Sequence, residues 1–179
     1  GNSQDFGDLT LGRTGPFAMS SPTRSVLGGG YHGSSPNGTN IMDFVTIAST
    51  GNAQDFGDLT QINNFSGGTS CSNSTIGIAM GGREATASTT LTEIQKITIA
   101  TKGNAVKFGD LTVAVRSGSA VSSKTRGVRV AGYAVPANSN SNSMDYFELA
   151  TEGDAVDFGD FTRSTSSMGT GTSNDHGGL

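Results

Sequence analysis

The sequence has no tryptophan, a single cysteine, and few of the residues that normally build surface helices. Trp is absent from the 179 residues, Pro occurs 4 times, and Cys71 is the only thiol. One cysteine cannot form a disulfide within the chain, so cysteine usage does not indicate a redox compartment. Leu, Glu, Lys and Gln are scarce, and this scarcity excludes a helical bundle.

Positive charge and long apolar runs are also in short supply. The 11 Lys and Arg residues are scattered singly, and the net charge is -4. Because no basic stripe is present that could neutralise phosphates, we expect no nucleic-acid partner. No apolar run approaches the roughly 18 residues that a membrane-spanning helix needs, so we expect no membrane insertion.

Glycine, serine and threonine dominate what is present. The chain has 27 Gly, 23 Ser and 22 Thr, whereas hydrophobic residues make up 33%. Turns and strands tolerate these residues well, and the apolar content is below that of an average globular domain. The composition therefore predicts an all-β protein with a lean core made of many small contributions.

A ten-residue motif occurs four times and divides the chain into repeats of about 50 residues. We call its occurrences the first to fourth decapeptides: GNSQDFGDLT at 1–10, GNAQDFGDLT at 51–60, GNAVKFGDLT at 103–112 and GDAVDFGDFT at 153–162. Self-similarity at a fixed period is typical of repeat architectures. We therefore predict one repeat domain over 1–179, with units at about 1–50, 51–102 and 103–152 and a partial unit at 153–179.

Each unit carries patterns that predict three or four antiparallel strands. Apolar–polar alternation begins the segments 45–50, 97–102 and 147–152, and a second set of alternating runs ends in glycine at 24–30, 76–82 and 126–132. The decapeptide predicts a turn followed by a short third strand, and 14–21 and 117–122 are weak candidates for a fourth. The polar stretches 28–40, 83–90 and 133–143 are predicted to be loops.

A small sheet of this kind cannot bury both faces alone, so the units must stack on their neighbours. Kelch-type propeller blades have this length and strand number. We expect the large apolar residues of the decapeptides to form the core between blades, namely Phe6, Phe56, Phe108, Phe158, Leu9, Leu59, Leu111 and Phe161. Three full units and a partial one leave open sheet edges, and such edges favour pairing with another copy of the chain.

The segment IASTGNAQDFGDLT at 47–60 is similar to the kelch-related repeats of virion structural proteins in tailed bacteriophages, notably marine cyanobacterial phages. The similarity extends over nearly the whole chain. It implies a kelch-like β-propeller, partial or completed by oligomerisation, in a structural or tail-fibre-associated protein of the virion, an extracellular location. The partners implied are further copies of the chain, other virion proteins and the host surface.

Candidate binding residues lie in the predicted loops. Tyr31, His32 and Tyr133 could stack on the sugar ring of a host-surface glycan, and Asn138 and Asn140 could form hydrogen bonds to it. No nucleophile elbow and no distinctive pair of carboxylates is present, so we predict no catalytic residue, no cofactor and no enzymatic activity.

The Asp-x-x-Asp pairs of the decapeptides are weak candidates for calcium ligands. The pairs in question are Asp55 with Asp58 and Asp157 with Asp160. Lys107 replaces the first aspartate in the third decapeptide, which argues against a metal role common to all units. We therefore favour side-chain capping of turns and predict no metal site.

Two functions follow from these patterns. The first is a non-enzymatic structural and adhesive virion protein, a β-repeat scaffold that displays polar loops for assembly or host attachment. The alternative is an extracellular filament subunit assembled by strand complementation. The sequons that begin at Asn37, Asn64 and Asn73 could carry sugars in such a filament.

Overall fold

The computed structural model describes residues 1–34, 36–64, 69–135 and 137–166, and every regular element there is a strand. The all-β prediction is therefore confirmed. Within these ranges no helix has the length and apolar character needed to cross a membrane. The strands are β1 (Phe17–Ser20), β2 (Arg24–Gly28), β3 (Thr39–Thr46), β4 (Gln54–Asn63), β5 (Ser70–Ser72), β6 (Ile76–Met80), β7 (Glu93–Thr98), β8 (Val106–Asp110), β9 (Ala114–Arg116), β10 (Ser119–Ser122), β11 (Arg126–Val135), β12 (Ser139–Glu148) and β13 (Val156–Thr165).

The strands form three antiparallel sheets, each from one continuous stretch of chain. Sheet 1 has the order β1-β2-β3-β4, sheet 2 has β5-β6-β7-β8, and sheet 3 has β10-β11-β12-β13, with the short β9 also paired to β11. The described part of the chain forms neither a closed barrel nor a closed propeller. The second, third and fourth decapeptides supply the last strand of their sheets, whereas the first decapeptide lies outside any strand.

The decapeptide does not form the predicted turn and short strand. In β4 the pairing with β3 steps from Gly57 to Asp55, so that Phe56 is the extra residue of a β-bulge. The same step occurs at Phe108 in β8 and at Phe158 in β13. A bulge bends the strand and redirects the side chain of the extra residue. The Phe-Gly pair is therefore a bulge inside a continuous strand.

The predicted loop at 133–143 is also wrong, because most of it lies in two ten-residue strands. β11 and β12 continue to a short connection between Val135 and Ser139, and β9 pairs with the extension of β11. The other two variable stretches do connect strands: 29–38 joins β2 to β3, and 81–92 joins β6 to β7. The weak fourth strands at 14–21 and 117–122 are confirmed as β1 and β10.

The core consists of two apolar layers, one on each side of sheet 2. The first layer joins sheets 1 and 2 through residues such as Phe17, Met42 and Phe56 against Ile97 and Ile99. The second joins sheets 2 and 3 and contains Cys71, Ile78, Met80, Ile94, Phe108, Leu111, Phe147 and Leu149, among others. Sheet 2 is thus covered on both faces, while sheets 1 and 3 each have one outer face.

The decapeptide residues predicted as core divide into an inner and an outer group. Phe56, Phe108, Leu59 and Leu111 are 2–4% exposed. Leu9 is half-buried. The expectation of a shared buried environment is wrong for the outer group: Phe6 is 39%, Phe158 50% and Phe161 43% exposed, because no sheet among the described residues covers the outer side of these two decapeptides.

Candidate functional site

A repeated joint links each decapeptide to the start of the next one. The backbone N–H of Gly103 donates to the carbonyl of Phe56 at 2.8 Å, and that of Ala105 donates to the carbonyl of Asp58 at 2.8 Å. Equivalent bonds run from Gly51 to Phe6 and from Gly153 to Phe108. The four decapeptides therefore form a ladder that runs from sheet to sheet.

A side chain completes this ladder at each step. The amide oxygen of Asn104 accepts a hydrogen bond from the backbone N–H of Asp58 at 3.0 Å. Asn52 accepts the same bond from Asp8, and Asp154 accepts it from Asp110. The Asn or Asp at the second decapeptide position therefore accepts a hydrogen bond from the backbone of the preceding decapeptide, which explains why residues of this type recur there.

The glycine at the seventh decapeptide position lets the two backbones approach closely. A Cβ added at Gly57 would lie 2.5 Å from the carbonyl oxygen of Gly103, and one added at Gly7 would lie 2.4 Å from that of Gly51. Real Cβ atoms essentially never come so close to another atom. Gly159 differs from the other three, because no atom of the described residues lies within 4 Å of a Cβ added there.

Buried polar side chains bind the last threonine of the first, second and third decapeptides. The hydroxyl of Thr112 donates to Asp145 at 2.6 Å, Thr10 donates to Asp43, and the backbone N–H of Thr60 donates to Gln95 at 2.9 Å. Both buried aspartates also pair with a buried arginine. The ion pairs are Arg13 with Asp43 and Arg129 with Asp145.

Sequence reasoning missed these polar residues. Asp43 and Asp145 stand in otherwise apolar surroundings, within Met-Asp-Phe and Met-Asp-Tyr. A charge at the centre of a strand with apolar neighbours on both sides is the available signal, since buried carboxylates need a partner. The sequence gives no corresponding signal for the arginine that pairs with each aspartate, because the two arginines lie at different positions of the repeat. Arg13 follows the first decapeptide, whereas Arg129 lies on β11.

The edge strands β1, β5 and β10 of the three sheets also contact one another. The hydroxyl of Ser70 on β5 donates to the carbonyl of Ala18 on β1 at 2.9 Å, and Ser72 donates to Ser20 at 2.9 Å. Ser122 on β10 donates to the carbonyl of Ser72 at 2.8 Å. Ser70 and Ser72 both lie 52 residues after their partners, so β1 and β5 run in the same direction and equivalent ends of sheets 1 and 2 lie at the same end of the molecule. Ser122 lies 50 residues after Ser72, one repeat further along the chain, which extends this alignment to sheet 3.

Arg24 joins sheet 1 to sheet 2 at the end of the sheets where β3 leads into β4. Its guanidinium lies 4.4 Å from the ring centroid of Phe44, and Nη1 of Arg24 donates to the carbonyls of Ile99 at 2.8 Å and Ala100 at 3.0 Å. Lys102 lies over the same ring at 5.0 Å. Between sheets 2 and 3, Lys96 takes the position of Phe44 and Glu152 that of Lys102, and these two side chains form an ion pair.

Sheets 1 and 3 each present an apolar outer face. The tail face is the outer face of sheet 3, where Val121 is 37% and Phe158 50% exposed. Val156 is not counted in this face, because its equivalent Val106 is 50% exposed although sheet 3 follows it. The tail face also includes the half-buried Val128, Val130, Met144 and Tyr146 and the exposed Phe161. The head face is the outer face of sheet 1, formed by Leu27, Val45 and Ile47, of which Ile47 is 46% exposed.

We call the end of the sheets that carries the connections β2–β3, β6–β7 and β11–β12 the loop end. The residues predicted to bind glycans lie at this end but in two groups. In sheet 3 the hydroxyl of Tyr133 donates to Asn138 at 2.7 Å, and Asn140 pairs with Tyr133 in the β11–β12 register. The guanidinium of Arg116 lies 4.7 Å from the Tyr133 ring centroid. Tyr31 and His32 instead lie in the connection from β2 to β3, where the His32 ring contacts the carbonyl of Gly38 at 2.9 Å.

The first aspartate of the Asp-x-x-Asp pair binds a backbone N–H in the first and in the fourth decapeptide. A carboxylate oxygen of Asp157 accepts the N–H of Gly159 at 3.0 Å, and Asp5 accepts that of Gly7 at 3.1 Å. In the third decapeptide the hydrogen bond from Lys107 is the largest of the effects that lower the pKa of Asp110. Within the described ranges, no group of three or more His, Cys, Asp or Glu side chains is placed to hold a metal ion.

The single thiol lies inside the second apolar layer. Burial raises the pKa of Cys71 to about 12, and a hydrogen bond with Ser122 opposes this effect. A thiol with so high a pKa is present as the neutral form at physiological pH, and the thiolate is the nucleophilic form. Cys71 therefore acts as a small apolar core residue.

The chain matches no protein-family model and no curated protein. The functional argument therefore rests on the repeated joint, the two outer faces and the loop end.

Proposed function

We propose that the chain is a non-enzymatic structural and adhesive module of a virion, a β-repeat scaffold that assembles with further copies of itself. The observation that carries this proposal is the coexistence of a repeated internal joint with two open apolar faces. Scattered single apolar residues are normal on a protein surface, but contiguous apolar faces are typical of interaction sites. In this proposal the sheets are blades of a kelch-like propeller that the chain forms in part and further copies complete.

The loop end is the proposed display surface. Three sheets that stack in one direction bring their variable connections to one end, as binding loops on a repeated scaffold require. Tyr133 combines an aromatic ring with a hydroxyl bonded to Asn138, which is the mixture of stacking and hydrogen bonding that sugar recognition uses. The proposed ligand is a glycan of the host surface, with Tyr31, His32 and Asn140 as further contacts.

Binding to bacterial surface polysaccharides tests the display surface. We expect the purified chain to bind at least one immobilised polysaccharide of a host panel, and Tyr133→Ala to weaken that binding about tenfold or more. Thr50→Ala is the control, because Thr50 is exposed in the turn between β3 and β4 at the opposite end of the sheet. Equal affinity for wild type and Tyr133→Ala, or no binding to any polysaccharide, would contradict this role.

The filament subunit remains a second proposal because end-to-end assembly is the property that both proposals share. Asn37 and Asn73 begin two of the glycosylation sequons, and the third includes Phe65 and Ser66, which lie outside the described residues. A native mass that exceeds 18.2 kDa by whole hexose units would favour the filament. The bare mass would favour the virion protein.

A further inference from the structure

We infer that two copies of the chain join head to tail by strand exchange, so that residues 153–162 of one copy replace residues 1–10 on sheet 1 of the next. This inference rests on the proposed self-assembling scaffold and specifies its joint. The occupant of the tail face is the head face of a second copy. The argument uses the internal joints as templates, because each outer face carries the same positions that those joints bury.

The apolar residues of the tail face match residues that are buried between sheets 2 and 3. Val121 occupies the position of Cys71 in the preceding unit, Val128 that of Ile78, and Phe158 that of Phe108. Those template residues are 0–7% exposed because sheet 3 covers them. The tail face therefore retains apolar residues at positions that are buried wherever a next sheet is present.

The head face supplies the matching surface. Ile47 is equivalent to Ile99 in sheet 2 and to Leu149 in sheet 3, and these two are 0% and 2% exposed. Ile99 and Leu149 are buried against the preceding sheet. Ile47, at 46% exposed, is the same residue without a preceding sheet.

Arg126 is a second, independent pointer to this partner. It lies 4.6 Å from the ring centroid of Tyr146, as Arg24 lies over Phe44. Its Nε and Nη2 donate to Glu148 on its own sheet. Arg24 uses the remaining nitrogen, Nη1, to bind the carbonyls of Ile99 and Ala100 on the next sheet. The equivalent carbonyls for Arg126 are those of Ile47 and of the residue after it on a second copy, whereas sheet 2 has Ile76 at this position.

The ladder explains why the joint requires exchange. Gly51 and Ala53 already donate to the carbonyls of Phe6 and Asp8, at 2.7 and 2.8 Å. A second copy that brings its sheet 3 onto the head face places Phe158 and Asp160 where Phe6 and Asp8 now lie. Both segments cannot occupy one place, so residues 1–10 must leave, and the incoming decapeptide reforms the same bonds. Such exchange of identical elements is a low-cost route to oligomers.

The contrast between the two segments favours the incoming one. Residues 1–10 are not part of any strand in the described residues, and Phe6 stays 39% exposed. Residues 153–162 are part of β13 and bring the whole of sheet 3 with them. Gly159 keeps the glycine that every internal joint needs, although no atom of the described residues lies within 4 Å of a Cβ added there.

Mixing two singly blocked variants tests the head-to-tail arrangement. Ile47→Glu blocks the head face, and Phe158→Glu blocks the tail face, so sedimentation should find each variant monomeric. An equimolar mixture should form dimers of twice the 18.2 kDa chain mass and nothing larger, while the wild type forms longer oligomers. Self-association of either variant alone, or a wild type that stays monomeric at every accessible concentration, would overturn the proposal.

One substitution placed at two equivalent glycines tests the exchange itself. Gly7→Ala pushes residues 1–10 away from the carbonyl of Gly51, so it should strengthen self-association by about tenfold. Gly159→Ala places the same methyl group on the incoming decapeptide, so it should weaken association by about tenfold or more. Equal effects of the two substitutions, or the reverse order, would show that no exchange occurs.

Deletion of residues 1–10 gives a check that does not depend on glycine geometry. The truncated chain should associate more tightly than the full chain, and a synthetic peptide of residues 153–162 should compete with that association. Weaker association of the truncated chain, with unchanged circular dichroism, would contradict the exchange. None of these outcomes bears on polysaccharide binding at the loop end, so the joint and the display surface can fail separately.

Discussion

At the scale of single residues, Ala131 departs most clearly from the repeat. The first two units carry glycine pairs at 29–30 and 81–82, and both members of each pair have positive φ. The third unit has Ala131 at φ 57° followed by Gly132 at φ 117°. Its neighbour Arg129 donates to the Ala131 carbonyl at 2.7 Å, so the ion pair of sheet 3 fixes a conformation that alanine disfavours.

Replacing this alanine by glycine should therefore stabilise the protein. The left-handed conformation costs alanine about 1–2 kcal/mol, and glycine gives back part of this through its freer unfolded state, so we expect a gain of up to about 1 kcal/mol for Ala131→Gly. Gly81→Ala should cost about 1–3 kcal/mol, because its Cβ would lie 2.4 Å from the carbonyl oxygen of Val115. Urea unfolding measures both, and a loss of stability in Ala131→Gly would contradict the argument.

At the scale of the elements, the sequence predicted the strands better than their limits. Alternation and a terminal glycine located β2, β6 and the start of β11, although β6 lies in sheet 2 and is buried on both faces. It stopped β11 at Gly132, where the glycine reads as a strand end, although the register shift at Ala131 lets the strand continue to Val135. Tyr133 and Asn140 were therefore predicted in a loop, and their pairing on opposite strands could not be seen.

The buried ion pair of sheet 3 should have an energetic role that its exposed neighbour lacks. Arg129 is fully buried and bonds Asp145, whereas Arg126 on the same strand bonds Glu148 with both side chains nearly half exposed. Arg129→Met leaves a buried charge without its partner and should cost about 3–5 kcal/mol. Arg126→Met is the matched control and should cost at most about 1 kcal/mol in the dilute chain. Similar costs for the two variants, measured by urea unfolding, would show that burial does not distinguish these pairs.

At the scale of the whole molecule, the repeat itself was predictable and its structural consequences only in part. Four similar decapeptides predict four similar environments, yet an environment depends on the neighbours that a unit has on each side. The repeat is most visible in the sequence at the decapeptide. Each sheet, however, begins with the strand that follows one decapeptide and ends with the next decapeptide. In the described residues, 1–10 therefore form no strand of a sheet, and Phe158 lies on a sheet that no further described sheet covers.

The phenylalanine of the decapeptide tests the stacked arrangement most directly, because four copies of one residue are divided between two environments. We would measure the free energy of unfolding of Phe6→Ala, Phe56→Ala, Phe108→Ala and Phe158→Ala at concentrations where the chain is monomeric. The account predicts a loss of about 3–5 kcal/mol for each of the two inner residues and about 1 kcal/mol or less for each of the two outer ones. Four equal losses would contradict it.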